Sequence, residues 1–517
     1  MGAFSLSITP LRPWASAVLS GLLLALSFPK PGFSILAWLA FLPLFYAVRG
    51  QSPINSFKLG FLSGFVAYVS VFYWLNIVMT KYGNLPFTVS LALTMLLAAY
   101  LALYVAAAIC LTRFAEDISI SPLISFPILW VALEYIRAHA LTGFPWASLG
   151  YTQYRTLPLI QIADITSVYG VSFLIGLLNV FLFQLWRWVR GKDGATCPFI
   201  ATAAAVSLLL LTLLYGFISL NRDDTGKEVK VALAQGNIPQ DVKWNPLFLE
   251  ETVAIYERLS RKTAGTATQL IVWPESSLPF YFERESEYSG RVNSLARELD
   301  SYLIVSSPVL EYEDGKDRLL NSAFLISSDG TTAGRSDKIH LVPFGEYVPL
   351  AKLFPFVEKM VQGIGDFSPG KTATPLSAPF GKMGLLVCFE SIFPEISRDY
   401  VRNGAGLLVN ITNDAWFGYS SAPYQHLSMT VFRAVENRVP LVRSANTGIT
   451  AFIDSRGHVQ SMTRLFREAL LSGNVRMGTE QSFYTTYGDI FALICCTISL
   501  AVMGIAYSRS LKQVQIS

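Results

Sequence analysis

The chain has 517 residues, 52% of them hydrophobic and only 15% charged, with a formal net charge of +4 and a mean hydropathy of +0.43. A soluble domain carries about 25% charged residues, so disorder, a collagen-like fibre and a purely cytosolic enzyme are excluded. The charge is uneven: 27 of the 40 Lys and Arg and 30 of the 36 Asp and Glu lie between Asn221 and Gly488, so the excess of positive charge belongs to apolar flanks and speaks of topology, not of a nucleic-acid partner.

Seven apolar runs precede the middle segment, at 11–28, 33–48, 57–79, 87–111, 122–138, 165–186 and 198–220, and one follows it at 490–507. Crossing the hydrocarbon core takes about 20 helical residues, and eight spans are expected, those at 33–48 and 122–138 being short. The 11–28 run reads as a span and not a signal-peptide core, since no small-residue cleavage pattern follows it. Eight spans put both termini on one side. Nine basic loop residues lie there, among them Arg187, Arg190 and Lys192, against Lys30, Lys81, Arg137 and Arg155 opposite. Basic residues near span ends favour the cytoplasm, so the middle segment is expected to face outward. The expected division is a membrane domain over 1–220, a catalytic domain over 221–487, and an eighth span with a cytoplasmic tail over 488–517. Glu134, Arg137 and Asp164 lie in or near spans, where ionisable groups mark function or form structural pairs.

From Glu228 the pattern changes to short β-branched runs alternating with amphipathic ones. Strands are expected at 229–235, 269–273, 302–308, 321–327, 383–389, 406–411, 441–445, 449–453 and 469–475, and helices at 246–262, 289–299, 394–403 and 423–438. The alternation predicts a layered α/β domain. Cys388 is the one cysteine of this segment, so it has no partner there for a disulfide. It closes a strand-like run just before a helix, the corner that exposes a nucleophile, and the helix N-terminus is expected to lower its pKa; a buried structural thiol is the competing reading. The usual partner of a catalytic Cys is His, but His426, near a helix start, and His458, in a turn, both read as structural. Glu275 ends an apolar strand after Pro274, which stops the ladder, and Lys338 precedes the unusual stretch at 341–349. Taken singly, a turn carboxylate and a surface lysine explain them.

Glu275, Lys338 and Cys388, in that order, resemble the Glu–Lys–Cys set of the nitrilase superfamily. Seven spans, an outward domain and one closing span resemble more narrowly the bacterial apolipoprotein N-acyltransferase family. The likeness is carried by 234–240, 272–275, 338–349, Val-Cys-Phe-Glu at 387–390 and Asn-Asp-Ala-Trp-Phe-Gly at 413–418. One departure is Phe389, where the family often has Tyr; the ring is kept and the hydroxyl lost.

The resemblance implies an α-helical membrane bundle of eight spans with an extracytoplasmic nitrilase-like domain, an α-β-β-α sandwich, in the bacterial inner membrane with its catalytic side periplasmic. Glu275 is then the general base for Cys388, Lys338 the charge facing the oxyanion, and Cys388 the carrier of an acyl thioester. Glu346 is implied as the carboxylate orienting Lys338, Glu390 and Phe389 as supporting residues, and Trp244, Trp416 and Arg443 as substrate-binding or lid residues. A phospholipid donor, a diacylglyceryl apolipoprotein acceptor, ping-pong kinetics and a monomer are expected, without metal, cofactor or nucleic acid. A membrane-tethered nitrilase-type amidohydrolase shares the three residues and differs in using water as acceptor; a transporter with an outward binding domain predicts charged pairs near the midplane. The run 350–363, apolar at helical spacing, reads either as a lid at the bilayer surface or as a helix packed on the core.

Overall fold

The computed structural model describes residues 12–191, 199–222, 224–313, 315–347 and 367–516. The 350–363 run lies outside them.

The first part is helical: α1 (Pro13–Ser27), α2 (Leu42–Val48), α3 (Pro53–Val71), α4 (Phe87–Asp117), α5 (Pro122–His139), α6 (Ala163–Val189) and α7 (Phe199–Leu220). Among the described residues, α3, α4, α6 and Thr202–Leu220 of α7 are long and apolar enough to cross a membrane. The run expected at 33–48 is a 3-10 turn, Ser34–Trp38, followed by the seven-residue α2, too short for a continuous 20-residue span. Close helix packing relies on small residues, as it does where no hydrophobic effect separates helix from lipid: a Cβ on Gly64 of α3 would sit 3.0 Å from the Ala102 Cα of α4.

Among the described residues of the middle segment, twelve strands form two six-stranded sheets. β1 (Glu228–Gln235), β2 (Leu270–Val272), β3 (Tyr302–Glu313), β4 (Lys316–Ile326) and β5 (Thr332–Asp337) lie in the first, closed on the other side of β1 by the last strand, β12 (Ala469–Arg476). The second runs β11-β10-β9-β8-β7-β6, from β6 (Leu376–Ala378), β7 (Gly381–Val387), β8 (Leu407–Thr412), β9 (Leu441–Ala445), β10 (Ala451–Ile453) and β11 (Val459–Met462). Side chains alternate across each strand. Val229, Val231 and Leu233 therefore meet Met383, Leu385 and Val387 in the layer between the sheets. Ala232 and Ala234 point the other way, under α8 (Leu249–Arg261) and α9 (Ser286–Leu299). Each such aliphatic side chain contributes about 1.5–3 kcal/mol when fully buried.

The outer face of the second sheet carries α10 (Pro394–Arg402) and α11 (Ala422–Asn437), and its apolar cluster is continuous with that of the membrane-like helices. Helix α11 is buried all round apart from Tyr424, so its polar residues need partners. Gln425 Oε1 accepts from the indoles of Trp74 (3.2 Å) and Trp146 (2.9 Å). Arg433 donates to the Tyr151 hydroxyl at 3.0 Å. Glu436 accepts from Ser167 Oγ at 2.7 Å and from Val168 N at 3.2 Å, capping the part of α6 that restarts after a break at Ser167, φ 55°. Asp164, its role open on sequence grounds, pairs with Arg438 at 2.7 Å. Arg137 donates to Tyr68 and Ser148, each at 3.1 Å, while Glu134 accepts from Leu149 N at 2.7 Å. A final helix, α12 (Ile490–Ile516), follows the sandwich.

Candidate active site

Ligands of layered α/β folds gather outside the carboxyl ends of strands, and the candidate residues stand there. Glu275 lies three residues past β2, Lys338 directly follows β5, Cys388 directly follows β7, and Asn413 directly follows β8. The structure brings Glu275 and Lys338 together: Lys338 Nζ is 3.5 Å from Glu275 Oε1 and 2.9 Å from Glu346 Oε1. Asn321 Nδ2 donates to both carboxylates, at 3.0 Å and 3.2 Å, and Asn413 N donates to Glu275 Oε2 at 3.0 Å. Glu346 also accepts from Val342 N at 2.8 Å. Lys338 is 1% exposed. Burial opposes its charge, but Glu346 and Glu275 outweigh burial and hold its pKa above the ordinary lysine value.

Cys388 opens a one-turn 3-10 helix, Cys388–Ile392, with φ 54°, a left-handed conformation rare for a non-glycine residue and typical of strained functional corners. Neighbours hold it on both sides. Glu390 Oε2 accepts from Val387 N at 2.7 Å, and its Oε1 accepts from Ile339 N at 2.6 Å and His340 N at 3.1 Å. One carboxylate thus ties the Cys388 corner to the Lys338 loop, and burial pushes its pKa up to about 7. On the carbonyl side, Ser391 Oγ donates to the Cys388 oxygen at 3.0 Å and His426 Nε2 lies 3.2 Å from it.

The thiol expectation is corrected. Burial, and then the negative charge of Glu275, push the Cys388 thiol above its ordinary value, against the pull of Lys338. The short helix cannot outweigh removal from water, so the resting sulfur carries its proton and needs a base to lose it.

The remaining candidates are placed unequally. Phe389 packs edge-on against Phe393 at 5.2 Å, a packing role for the ring. Trp416 is half-buried, edge-on to Tyr82 at 5.1 Å. Trp244 borders a cleft of roughly 270 Å³ with Pro279, Phe280 and Tyr281, in the chain just beyond Glu275. Arg443, implied as a substrate-binding or lid residue, lies on β9 in the second sheet. It is fully buried, donating to Asp414 Oδ2 at 2.7 Å, to Asn410 and to the Ile449 carbonyl, because a charge on a central strand must be paired where it stands.

Sequence reasoning gave no role to Lys243, Asn321, Asn413 or Asp414, and set His426 aside as structural. Lys243 Nζ donates to the Glu275 carbonyl at 2.9 Å. His426 lies between Asp414, 3.1 Å from its Nδ1, and the Cys388 carbonyl. Asn413 and Asp414 had a signal in their position directly after an apolar strand. Lys243 had one only as the neighbour of Trp244.

A model described as the apolipoprotein N-acyltransferase N-terminal domain matches residues 20–181, and one described as carbon-nitrogen hydrolase matches residues 230–484. An apolipoprotein N-acyltransferase of Geobacter metallireducens is 59% identical over 501 residues, covering 97% of this chain and 96% of that relative. One of Methylococcus capsulatus is 32% identical over 499 residues, covering 95% of each. Among solved structures, a carbon-nitrogen hydrolase from Helicobacter pylori is similar over 48% of this chain and 89% of its own, at 19% identity and a TM-score of 0.38. With full-length relatives at such identity joined to a nitrilase-like sandwich, the chain belongs to the apolipoprotein N-acyltransferase family.

Proposed function

We propose that this enzyme moves an acyl chain from a membrane phospholipid, through a Cys388 thioester, to the α-amino group of the N-terminal diacylglyceryl-cysteine of apolipoproteins. The observation that carries the reading is the buried bridge of Lys338 between Glu275 and Glu346 beside a left-handed Cys388, in a chain related over its whole length to enzymes of that name.

Glu275 takes the Cys388 proton as sulfur attacks the ester carbonyl, and Lys338 faces the developing oxyanion; one such donor is worth roughly a hundred- to a thousandfold in rate. As the C–O bond breaks, Glu275 returns the proton to the glycerol oxygen and a lysophospholipid leaves. The acceptor amine then attacks the thioester, gives its proton to Glu275, and the departing sulfur takes that proton back. Phe389 and Glu390 support Cys388, Glu346 orients Lys338, and Trp244 and Trp416 border the acyl and acceptor path. Both substrates are amphiphiles whose tails resist leaving the bilayer by about 0.8 kcal/mol per CH₂. The reading therefore places eight membrane passages around an outward catalytic domain at headgroup level, in a bacterial inner membrane, with the enzyme acting as a monomer. The continuous apolar core that joins α11 to the membrane-like helices supports the seating of the catalytic domain on the helical part.

The test uses the full chain in vesicles of a phospholipid radiolabelled in its acyl chain. Label is expected on Cys388 with release of lysophospholipid, and none on Cys388→Ser. Complete lipoprotein N-acylation by Cys388→Ser in cells without another copy overturns the proposal. Release of free fatty acid with water as the sole acceptor points to the hydrolase instead.

A further inference from the structure

Lys243, in the loop after β1, is a second buried ammonium at the site, 1% exposed. Its partner among the described residues is the main-chain carbonyl of Glu275, at 2.9 Å. An ammonium has three donors, and burying one without a carboxylate is costly, so a lysine in this place calls for a reason. The charges around it supply one. Glu275 faces it from the end of β2 and Cys388 from the end of β7. Lys338 and Glu346 stand beyond Glu275, and Asp414, after β8, is neutralised by Arg443. Glu275, Glu346 and Lys338 alone leave one net negative charge, and passing the Cys388 proton to Glu275 shifts that charge toward sulfur or the oxyanion without removing it. With Lys243 the resting cluster is neutral.

We propose that Lys243 is a positioning residue for acyl transfer: its ammonium fixes the main chain of Glu275 and cancels the second carboxylate, so that sulfur gains negative charge within a cluster that stays neutral overall. This rests on the acyl-transfer reading above. Burial pulls the Lys243 pKa down to about 8, against Glu275 and Cys388. Lysine is charged below its pKa, so the benefit is present in neutral solution and is lost as pH rises through about 8.

The experiment measures single-turnover transfer of a radiolabelled acyl chain onto Cys388, with the full chain in phospholipid vesicles, from about pH 6 to about pH 10. Wild type, Lys243→Arg and Lys243→Met are compared, with thermal unfolding alongside. The wild-type rate is expected to fall through about pH 8. Lys243→Arg is expected to move that fall upward by at least about one unit, since guanidinium stays protonated. Lys243→Met is expected to lack it and to run roughly ten- to a hundredfold slower at neutral pH, the scale of one buried charge near a forming anion. A side chain that merely filled space would not move the pH profile. Identical falling limbs in wild type and Lys243→Arg overturn the inference, as does a wild-type rate in Lys243→Met; should the Met variant fail to fold, the Arg comparison decides. Label on wild-type Cys388 with unchanged profiles refutes only the role of Lys243, whereas no label at all refutes the acyl-transfer reading and this inference with it.

Discussion

Replacing Glu390 by Gln tests how the Cys388 corner is held. The carboxylate accepts from Ile339 N and His340 N through one oxygen and from Val387 N through the other, at 2.6, 3.1 and 2.7 Å. Glutamine has one acceptor oxygen. If that oxygen keeps the Ile339 and His340 bonds, its NH₂ faces the Val387 N–H, donor against donor. The variant loses one charge-assisted bond and strands one buried N–H, about 1.5–3 kcal/mol. Val387 and Ile339 adjoin Cys388 and Lys338, so this energy acts on their mutual placement, and acylation of Cys388 should slow by about ten- to a hundredfold. Protonation should mimic the substitution. With the Glu390 pKa pushed up to about 7 by burial, acidification through that value turns one oxygen into a donor, so wild-type acylation falls below about pH 7 and the Gln variant lacks that limb. The assay is single-turnover acyl transfer against pH, with thermal unfolding to exclude misfolding. A Glu390→Gln enzyme with the wild-type rate and the wild-type acid limb refutes the reasoning.

Two further outcomes are expected. Burial, and after it the charge of Glu275, raises the Cys388 pKa, so Glu275→Gln, which removes the second cause and keeps the first, should abolish lipid acylation yet speed labelling of Cys388 by a small soluble thiol reagent at mildly alkaline pH; slower labelling contradicts the electrostatics. Arg438→Met leaves Asp164 buried with only the Tyr215 hydroxyl, at 2.6 Å, and should destabilise the junction with α6 by about 3–5 kcal/mol, read as a lowered Tm in detergent; an unchanged Tm removes the pair from the stability of the interface.

Periodicity alone located the strands that build the layer between the sheets, because the run at 229–235 must alternate between two packed faces and 383–387 is apolar almost throughout. Thr332–Asp337, Leu376–Ala378 and Val459–Met462 were not visible in this way. They are short and partly exposed outer strands, held in line by their neighbours' backbones and not by an apolar pattern of their own. The residues of α11 were legible as a helix, but not that the helix is wrapped on all sides. Gln425, His426, Arg433 and Glu436 look like an ordinary polar face until the sheet on one side and the apolar helices on the other are both in place.

The same division holds at the site. Residue type and order already placed an acid and a lone cysteine at the ends of separate apolar strands, since local sequence carries the strand, the proline that ends it and the corner after it, whereas the strand that delivers Lys338 appeared only with the fold. Only the fold decided that Lys338 bridges two carboxylates, that Glu390 binds two loops, that Arg443 is a buried tie and that Lys243 supports Glu275. It also decided that the thiol is held above its ordinary pKa. Those properties arise from removal of water and from charges brought together across long stretches of chain, and neither quantity exists until the two sheets close on each other.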